Sequence, residues 1–174
     1  MQSEYDALMT KSTWTLVPRP PNTNVVTGKW VFRHKLNADG SLEHYKARWV
    51  VRSFAQRPDI DFGETFSPVV NPATIRMMLT LACSRGWPVH QLDVKNAFLH
   101  GVLDEQVHFY QPTGFVDASR RDHVRRLAKS LYDLKQASRA WFHRFTVFAA
   151  TIGFTASRSD ASLFILRRGA KAAH

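Results

Sequence analysis

The feature that most constrains the fold is a hairpin pattern over residues 25–51, VVTGKWVFRHKL, NADG and SLEHYKARWVV. Asp39-Gly40 between two strand-like runs is a strong β-hairpin signal. Side chains alternate along a strand. The second run therefore presents Tyr45, Ala47, Trp49 and Val51 on one face and Lys46, Arg48, Val50 and Arg52 on the other. The three cations form either an ordinary solvated face or a surface that grips phosphate, and the sequence leaves both open.

Composition restricts the class of protein. A chain of 174 residues with 44% apolar content can bury one core, or two small subdomains that share a cleft. Its 24 Lys and Arg against 14 Asp and Glu give a net charge of +10, which favours polyanions such as nucleic acid or an anionic membrane face. No apolar stretch approaches the length of a membrane span, and MQSEYDALMTK lacks the order of a signal peptide. We expect an intracellular protein, cytoplasmic or nuclear, without a membrane partner.

Two helices flanked by recognisable ends are predicted in the first half. Ser3 and Asp6 resemble a capping box at the start of a short N-terminal helix. In NPATIRMMLTLACSRGW, Asn71 can cap, Pro72 takes the first helical position and Gly86 can close the end. The apolar stripe of this helix, Ile75, Met78, Leu79 and Ala82, is expected to face the core. Cys83, the single cysteine, excludes an internal disulfide and is expected to be buried beside the stripe.

The second half predicts one more helix and two strands. LDEQVHFYQPTGF is expected to form a turn and a strand. A helix that ends at Gly153 is indicated by apolar residues three or four apart, which are Leu134, Ala137, Trp141, Phe145, Phe148 and Ile152. SDASLFIL predicts a closing strand, and residues 167–174 form a basic tail.

The stretch QLDVKNAFLHG places one carboxylate, Asp93, inside what otherwise predicts a buried strand. An aspartate there can end the strand or cap the following helix. It can also be a ligand for a hard cation such as Mg²⁺, since a strand end holds a carboxylate rigidly. The pattern alone does not choose between these roles.

Basic residues concentrate between Arg120 and Arg144. The sequence-based candidates for nucleic-acid contact in this segment are Arg120, Arg121, Arg125, Arg126, Lys129 and Arg139. Asp122 and Asp133 are the acids that oppose them. A solvated basic face and a phosphate-binding surface both fit this pattern.

Seven ordered blocks carry a family resemblance: KWVFRHKLNADGSLEHYKAR, DFGETFSPVV, TIRMMLTLA, QLDVKNAFLHGVLDEQV, QPTGF, KSLYDLKQASRAWF and GFTASRSDASLF. Together they resemble the reverse transcriptase domain of copia-type retrotransposon polyproteins. The resemblance spans about Trp14 to Phe164. It implies an α+β fold with the fingers of a right-hand polymerase over about residues 14–90 and part of the palm over about 91–166, with the thumb absent. The implied partners are a primer-template, such as an RNA/DNA hybrid, and a deoxynucleoside triphosphate (dNTP).

The resemblance also assigns roles to single residues. Asp93 matches the first catalytic carboxylate of the palm, a ligand in a two-metal site for Mg²⁺. Val94 would offer a backbone carbonyl to the second metal ion, and Phe98 matches the aromatic gate against a 2′-hydroxyl. The positions implied to bind the nucleotide are completed by Lys35 and Arg48 on the hairpin and by Tyr132, Lys135 and Gln136 in the segment Tyr132–Gln136.

The sequence departs from the family pattern at several positions. The family expects a Tyr-x-Asp-Asp hairpin a few tens of residues beyond DASLF, and the given sequence ends at His174, so an incomplete metal site and an inactive isolated chain are expected. Asp133 replaces a glycine, Ser138 a proline and Ser53 another glycine, which resembles sequence drift. A carboxylate at position 133 would repel a triphosphate by about 1 kcal/mol or more.

Three functions are therefore open: a fragment of a reverse transcriptase, a non-catalytic basic module that binds nucleic acid, and an expressed relic with no molecular role. The sequence gives no indication of oligomeric state.

Overall fold

The computed structural model describes residues 1–167, which form three α-helices and eight β-strands. In chain order the elements are α1 Gln2–Thr10, β1 Trp14–Val17, β2 Val25–Val26, β3 Gly28–Leu36, β4 Leu42–Val51, α2 Pro72–Ser84, β5 His108–Tyr110, β6 Val124–Leu127, α3 Ala137–Thr151, β7 Phe154–Ala156 and β8 Phe164–Leu166. Short 3-10 helices cover Ser53–Ala55 and Ala97–His100. The fold is α+β. Of the predicted basic tail, only Arg167 lies within the described residues.

The chain divides into two compact units that are each discontinuous in sequence. The first joins Met1–Phe66 to Asn96–Trp141, and the second joins Ser67–Lys95 to residues 142–167. The assignment of residues 14–90 to fingers and 91–166 to palm stays a prediction.

The predicted hairpin is confirmed as β3 and β4, which pair antiparallel with Trp30 opposite Trp49. At the turn, Gly40 has a φ of +84°, a conformation that glycine adopts without steric cost. The Asp39 carboxylate accepts hydrogen bonds from the Ser41 backbone N–H at 2.8 Å and from its hydroxyl at 2.6 Å. These local interactions fix where the chain reverses.

The core of the first unit lies around a four-stranded sheet with the order β1-β6-β5-β2. The pairs β1–β6 and β5–β6 are antiparallel, while β2–β5 is parallel. Aromatic rings join α1 and the hairpin to the loop between β5 and β6: Tyr5 stacks on Phe115 at 4.1 Å, and Trp30 contacts both Phe115 and Trp49. Strand β6 was not predicted, because VRRL reads as a basic segment.

The helices confirm most of the predicted ends. In α2 the Asn71 side chain accepts from the Ala73 N–H at 2.9 Å, and Pro72 is the first helical residue. The prediction of a capping box at Ser3 is wrong, since α1 begins at Gln2 without a side-chain cap. Gly153 follows α3 with a φ of +92°.

Among residues 1–167, no helix has both the length and the apolar content needed to cross a bilayer.

The apolar stripe of α2 is less buried than its periodicity predicts. Ala82 is buried, but Ile75 is 47% exposed and Leu79 is 44% exposed. Cys83 is also exposed, so its predicted burial is wrong. Helical periodicity predicts which residues share one face of a helix, but it does not predict whether another element packs against that face.

The strand predicted around Asp93 is absent from the structure. Residues 91–94 are irregular and exposed, and Leu92 is 90% exposed. A strand needs a partner for its backbone hydrogen bonds, and QLDV has none among the described strands. Likewise α3 begins at Ala137, so Leu134 and Lys135 belong to the preceding turn.

We expect Gly28→Ala to lower the free energy of unfolding by about 1–3 kcal/mol. Gly28 begins β3, and a methyl group there would fall on the indole ring atoms of Trp49. Trp49 is buried, so its ring has no free space into which to move. Urea unfolding followed by tryptophan fluorescence measures the change. Gly63→Ala is the matched control, because a methyl group at Gly63 would contact nothing within 4 Å; equal midpoints for both variants would contradict the expected clash.

Candidate anion-binding site

A basic cavity of about 320 Å³ opens on one face of the β3–β4 hairpin. Its cationic lining consists of Arg33, Lys35, Lys46 and Arg48. The remaining lining residues are Val31, Val50, Phe98, Tyr132 and Asp133. Four cations against one carboxylate give the lining a net charge of about +3. All nine residues belong to the first compact unit.

The strand register explains how the cations converge. Arg33 lies directly opposite Lys46, and Lys35 lies opposite His44, on the hairpin face that also carries Arg48. Like charges that are paired across two strands destabilise the pair, by tenths of a kcal/mol up to about 1 kcal/mol. A bound anion would remove that repulsion. The hairpin therefore has the electrostatic character of an anion site.

Arg48 has its guanidinium held over an aromatic ring. Its Cζ lies 4.7 Å from the centroid of the Tyr132 ring, and the Tyr132 hydroxyl donates to Asn96 Oδ1 at 2.9 Å. Phe98 approaches the same ring edge-on, with centroids 6.1 Å apart. Burial raises the pKa of Tyr132, so the phenol stays protonated and keeps this donor. These contacts position Arg48 at the wall of the cavity.

Asp133 is the acidic member of the lining and has an unusual backbone. Its φ is +66°, in the left-handed region that glycine adopts most easily. This agrees with the sequence argument that the position suits glycine. Ser53 differs, since it begins a 3-10 helix and is not among the residues with positive φ.

Gln136 and Lys135 were predicted to bind the nucleotide, but neither lines the cavity. Gln136 is buried, accepts from Gln56 Nε2 at 3.0 Å and donates to the Asp61 backbone carbonyl at 3.0 Å. Gln56 Oε1 in turn accepts from the Lys135 backbone N–H. The Lys135 side chain lies outside the cavity, with Nζ 4.4 Å from the centroid of the Phe62 ring. Gln136 thus anchors the turn that carries Tyr132 and Asp133.

Asp93 and Val94 belong to the second compact unit, where both are exposed. Within residues 1–167, no three His, Cys, Asp or Glu side chains come together in a way that could hold a metal ion. The described residues therefore do not form the metal site that the motif implies. The role of Asp93 as a metal ligand and that of Val94 rest on the motif alone.

Arg125 is not part of an exposed basic surface. It is buried, its Nη2 donates to the Tyr5 hydroxyl at 3.0 Å, and its guanidinium lies 5.9 Å from the centroid of the Trp14 ring. Its neighbour Arg126 is exposed. Arg125 therefore connects β6 to Tyr5 of α1 inside the fold, and its contact with nucleic acid stays a prediction.

The other residues predicted to contact nucleic acid differ in whether their charged groups are paired within the protein or exposed. Arg120 forms a two-pronged ion pair with Asp117, and hydrogen bonds from Ser119 and then Arg120 lower the pKa of Asp117 to about 2. Arg139 lies 3.8 Å from a Glu64 carboxylate oxygen. Lys129 donates to the Lys11 carbonyl. Arg121 is exposed, as Arg126 is.

The structure thus brings together Lys35, Arg48, Phe98 and Tyr132 from the predicted nucleotide residues. It adds Arg33, which the sequence analysis missed and which the hairpin register could have supplied. It also adds Glu4 of α1, a half-buried residue near the cavity cations. No pattern in the sequence links α1 to the hairpin.

The hairpin, the ordered motifs and the basic cavity together characterise a polymerase segment, and the chain belongs to the reverse transcriptase (RNA-dependent DNA polymerase) family, whose model matches residues 11–172. It is 50% identical over 97% of its length to the retrovirus-related Pol polyprotein from transposon RE2 of Arabidopsis thaliana. Identity to the RE1 counterpart from the same plant is 49% over 97% of the chain, and to the transposon TNT 1-94 Pol polyprotein of Nicotiana tabacum it is 44% over 96%.

These relatives identify the chain as a copia-type retrotransposon reverse transcriptase segment. The chain spans about 12% of the length of the two Arabidopsis polyproteins and 13% of the tobacco one. No solved structure matches it.

We expect Gln136→Leu to lower the free energy of unfolding by about 2–3 kcal/mol, because it leaves the Gln56 amide and the Asp61 carbonyl buried without these partners. Urea unfolding measures the loss. Lys135→Met, at an exposed neighbouring position, should change it by less than about 0.5 kcal/mol. If Gln136→Leu kept its stability but no longer bound polyphosphate, a direct ligand role for Gln136 would replace the anchoring role.

Proposed function

We propose that this chain supplies the part of an RNA-directed DNA polymerase that grips the triphosphate of an incoming dNTP, with β3 and β4 as the fingers hairpin and residues 91–166 as part of the palm. The observation that carries the proposal is the opposed pair Arg33 and Lys46 on the cavity face of the hairpin. Two cations placed directly across a strand pair cost stability without an anion between them. A triphosphate supplies that anion.

The cavity residues would contact the triphosphate in different ways. Lys35 and Lys46 act as mobile point charges, while Arg48 presents a planar fork that suits phosphate oxygens. Because Arg48 is already stacked on Tyr132, less conformational freedom is lost when it binds. Phe98 lies beside Tyr132 at the cavity wall, which is compatible with a steric gate for the sugar.

Catalysis by the complete polymerase depends on positioning and on charge neutralisation. Reverse transcriptases use divalent metal ions, and Mg²⁺ held in part by Asp93 is the proposal that the QLDVKNAF motif supports. Anion binding in the basic cavity does not require that ion. It can therefore be tested on this chain alone.

We expect tripolyphosphate, a probe for the triphosphate group, to bind to this chain at low ionic strength. Lys35→Gln and Arg48→Gln should each weaken binding about three- to tenfold, since each removes a unit charge from a partly solvated site. Asp133→Asn should strengthen binding by a similar factor, because the amide keeps the backbone preference and removes the repulsion. Isothermal titration calorimetry measures all three affinities.

Arg76→Gln serves as the charge-matched control, since Arg76 is an exposed residue of α2 in the second unit. If Arg76→Gln weakened binding as much as Arg48→Gln, the affinity would come from net charge alone and the cavity would not be the site. Lack of binding by the unmodified chain at low salt would refute the proposed function.

A second candidate, binding of single-stranded nucleic acid, is favoured by the opposite face of the same hairpin. Phe32 is 63% exposed and Tyr45 is 74% exposed, and the ring of His34 contacts that of Tyr45 edge-on at 5.1 Å. Exposed aromatic rings beside cations are the usual platform for base stacking. The hairpin fits this role better than the 120–144 segment, where Arg125 is buried and Arg120 is paired.

We expect Tyr45→Ala and Phe32→Ala each to weaken binding of a single-stranded oligonucleotide by about tenfold, the value of one lost stacking contact. Fluorescence anisotropy at several salt concentrations measures affinity and its salt dependence, which should be steep for both variants and for the unmodified chain. Phe54→Ala is the control, because Phe54 is 80% exposed but lies outside the hairpin. Equal losses at all three positions would indicate that no particular ring binds a base.

A further inference from the structure

Glu4, in the first turn of α1, is not among the residues that line the basic cavity. Helix α1 packs against β4, the strand that carries Lys46 and Arg48. Glu4 is half-buried, and its Oε1 atom is shielded from solvent and has no hydrogen-bond partner. A carboxylate oxygen buried without a partner is costly, and it stays charged only if nearby positive charges compensate for the lost solvent.

Two of the charged groups that act on Glu4, Arg48 and Lys46, line the cavity. Arg48 and Lys46 of β4 and the amino group of Met1 attract its carboxylate, and its negative charge also acts on the Tyr132 phenol. Burial outweighs these attractions and raises the pKa of Glu4 above the ordinary value. Asp133 is the other carboxylate near the same cations, and it lines the cavity itself.

We propose that Glu4 is the counter-charge of the basic cavity. Its carboxylate balances the positive charges of Arg48 and Lys46 while the cavity is empty, and it binds a proton from solvent when a bound polyphosphate neutralises those charges. This role of Glu4 rests on the triphosphate site proposed above. One proton is added to one Glu4 oxygen, and no covalent bond of the ligand changes.

The direction of the linkage follows from the charges. A polyphosphate beside Arg48 and Lys46 brings negative charge close to Glu4 and disfavours its ionised form, so the pKa of Glu4 is higher in the complex than in the free chain. At pH values between the pKa of Glu4 in the free chain and its pKa in the complex, ligand binding is therefore accompanied by proton uptake. Affinity is highest when Glu4 is already protonated, and it falls as the pH rises through that interval.

The test is calorimetric titration of tripolyphosphate into the unmodified chain and into Glu4→Gln, in buffers of different ionisation enthalpy, from about pH 5 to about pH 7.5. The unmodified chain should take up more protons than Glu4→Gln, by as much as about one per ligand. Glu4→Gln should bind about three- to tenfold more tightly near pH 7.5, and the two affinities should converge at acidic pH. Protonation of the ligand itself occurs with both proteins and cancels in the difference.

Asp6→Asn is the matched control, because Asp6 is an exposed carboxylate on the same helix. It should reproduce the proton uptake and the affinity of the unmodified chain. A second measurement needs no substitution: the ¹³C shift of the Glu4 side-chain carboxyl, followed against pH with and without tripolyphosphate, should show a higher midpoint in the complex. This measurement decides the question if Glu4→Gln fails to fold.

Two results distinguish the two proposals. Tripolyphosphate binding with equal proton uptake by the unmodified chain and Glu4→Gln, or an unchanged Glu4 midpoint in the complex, overturns the role of Glu4 and leaves the triphosphate site in place. No binding by the unmodified chain at low salt overturns both.

Discussion

The contact between the Trp30 and Trp49 rings decides which face of the β3–β4 hairpin carries its charges. The rings meet edge-on at 5.2 Å, and Trp49 is buried in the core of the first unit. Trp30 is further fixed by a hydrogen bond from its indole nitrogen to the Thr113 carbonyl. Because side chains alternate along a strand, this packing leaves Arg48 and Val31 on the cavity face. The chemistry of the cavity follows from the packing of two indoles.

The turn that carries Tyr132 and Asp133 of the cavity depends on buried polar groups as well as on the apolar packing of Leu131 and Leu134. Gln136 connects Gln56 to the Asp61 backbone, and through Gln56 it holds the Lys135 N–H. Asp61 accepts from the Arg57 backbone N–H as well. Each bond satisfies a group that would be costly to bury alone. These bonds anchor the turn of residues 131–136, in which Asp133 has a left-handed conformation.

Local signals predicted much of this structure, and non-local contacts account for the rest. The hairpin and α2 were predictable because Asp39-Gly40, Asn71 and Pro72 act on their immediate neighbours. Lys35 and Arg48 were named from the family resemblance, and the hairpin register places both on the cavity face. The burial of Arg125 could not be predicted, because it depends on Tyr5, which is 120 residues away in sequence. The buried hydrogen bonds of Gln136 could not be predicted for a similar reason, because its partners are 75 and 80 residues away in sequence. At Asp93 the local pattern itself was misleading, because an apolar run predicted a strand for which the described residues supply no partner strand.

The alternation of the hairpin also has a consequence for how the chain reaches its fold. A slip of β4 by a single residue would move every side chain to the other face of the pair. A slip that puts Arg48 opposite Trp30 would bring its guanidinium into the place of the buried Trp49 ring, and Trp49 would turn toward the cavity. Such a misregistered hairpin buries an unpaired cation and exposes an indole, so it is less stable than the hairpin in its native register. The basic surface that suits a polyanion thus also protects the hairpin against pairing errors during folding.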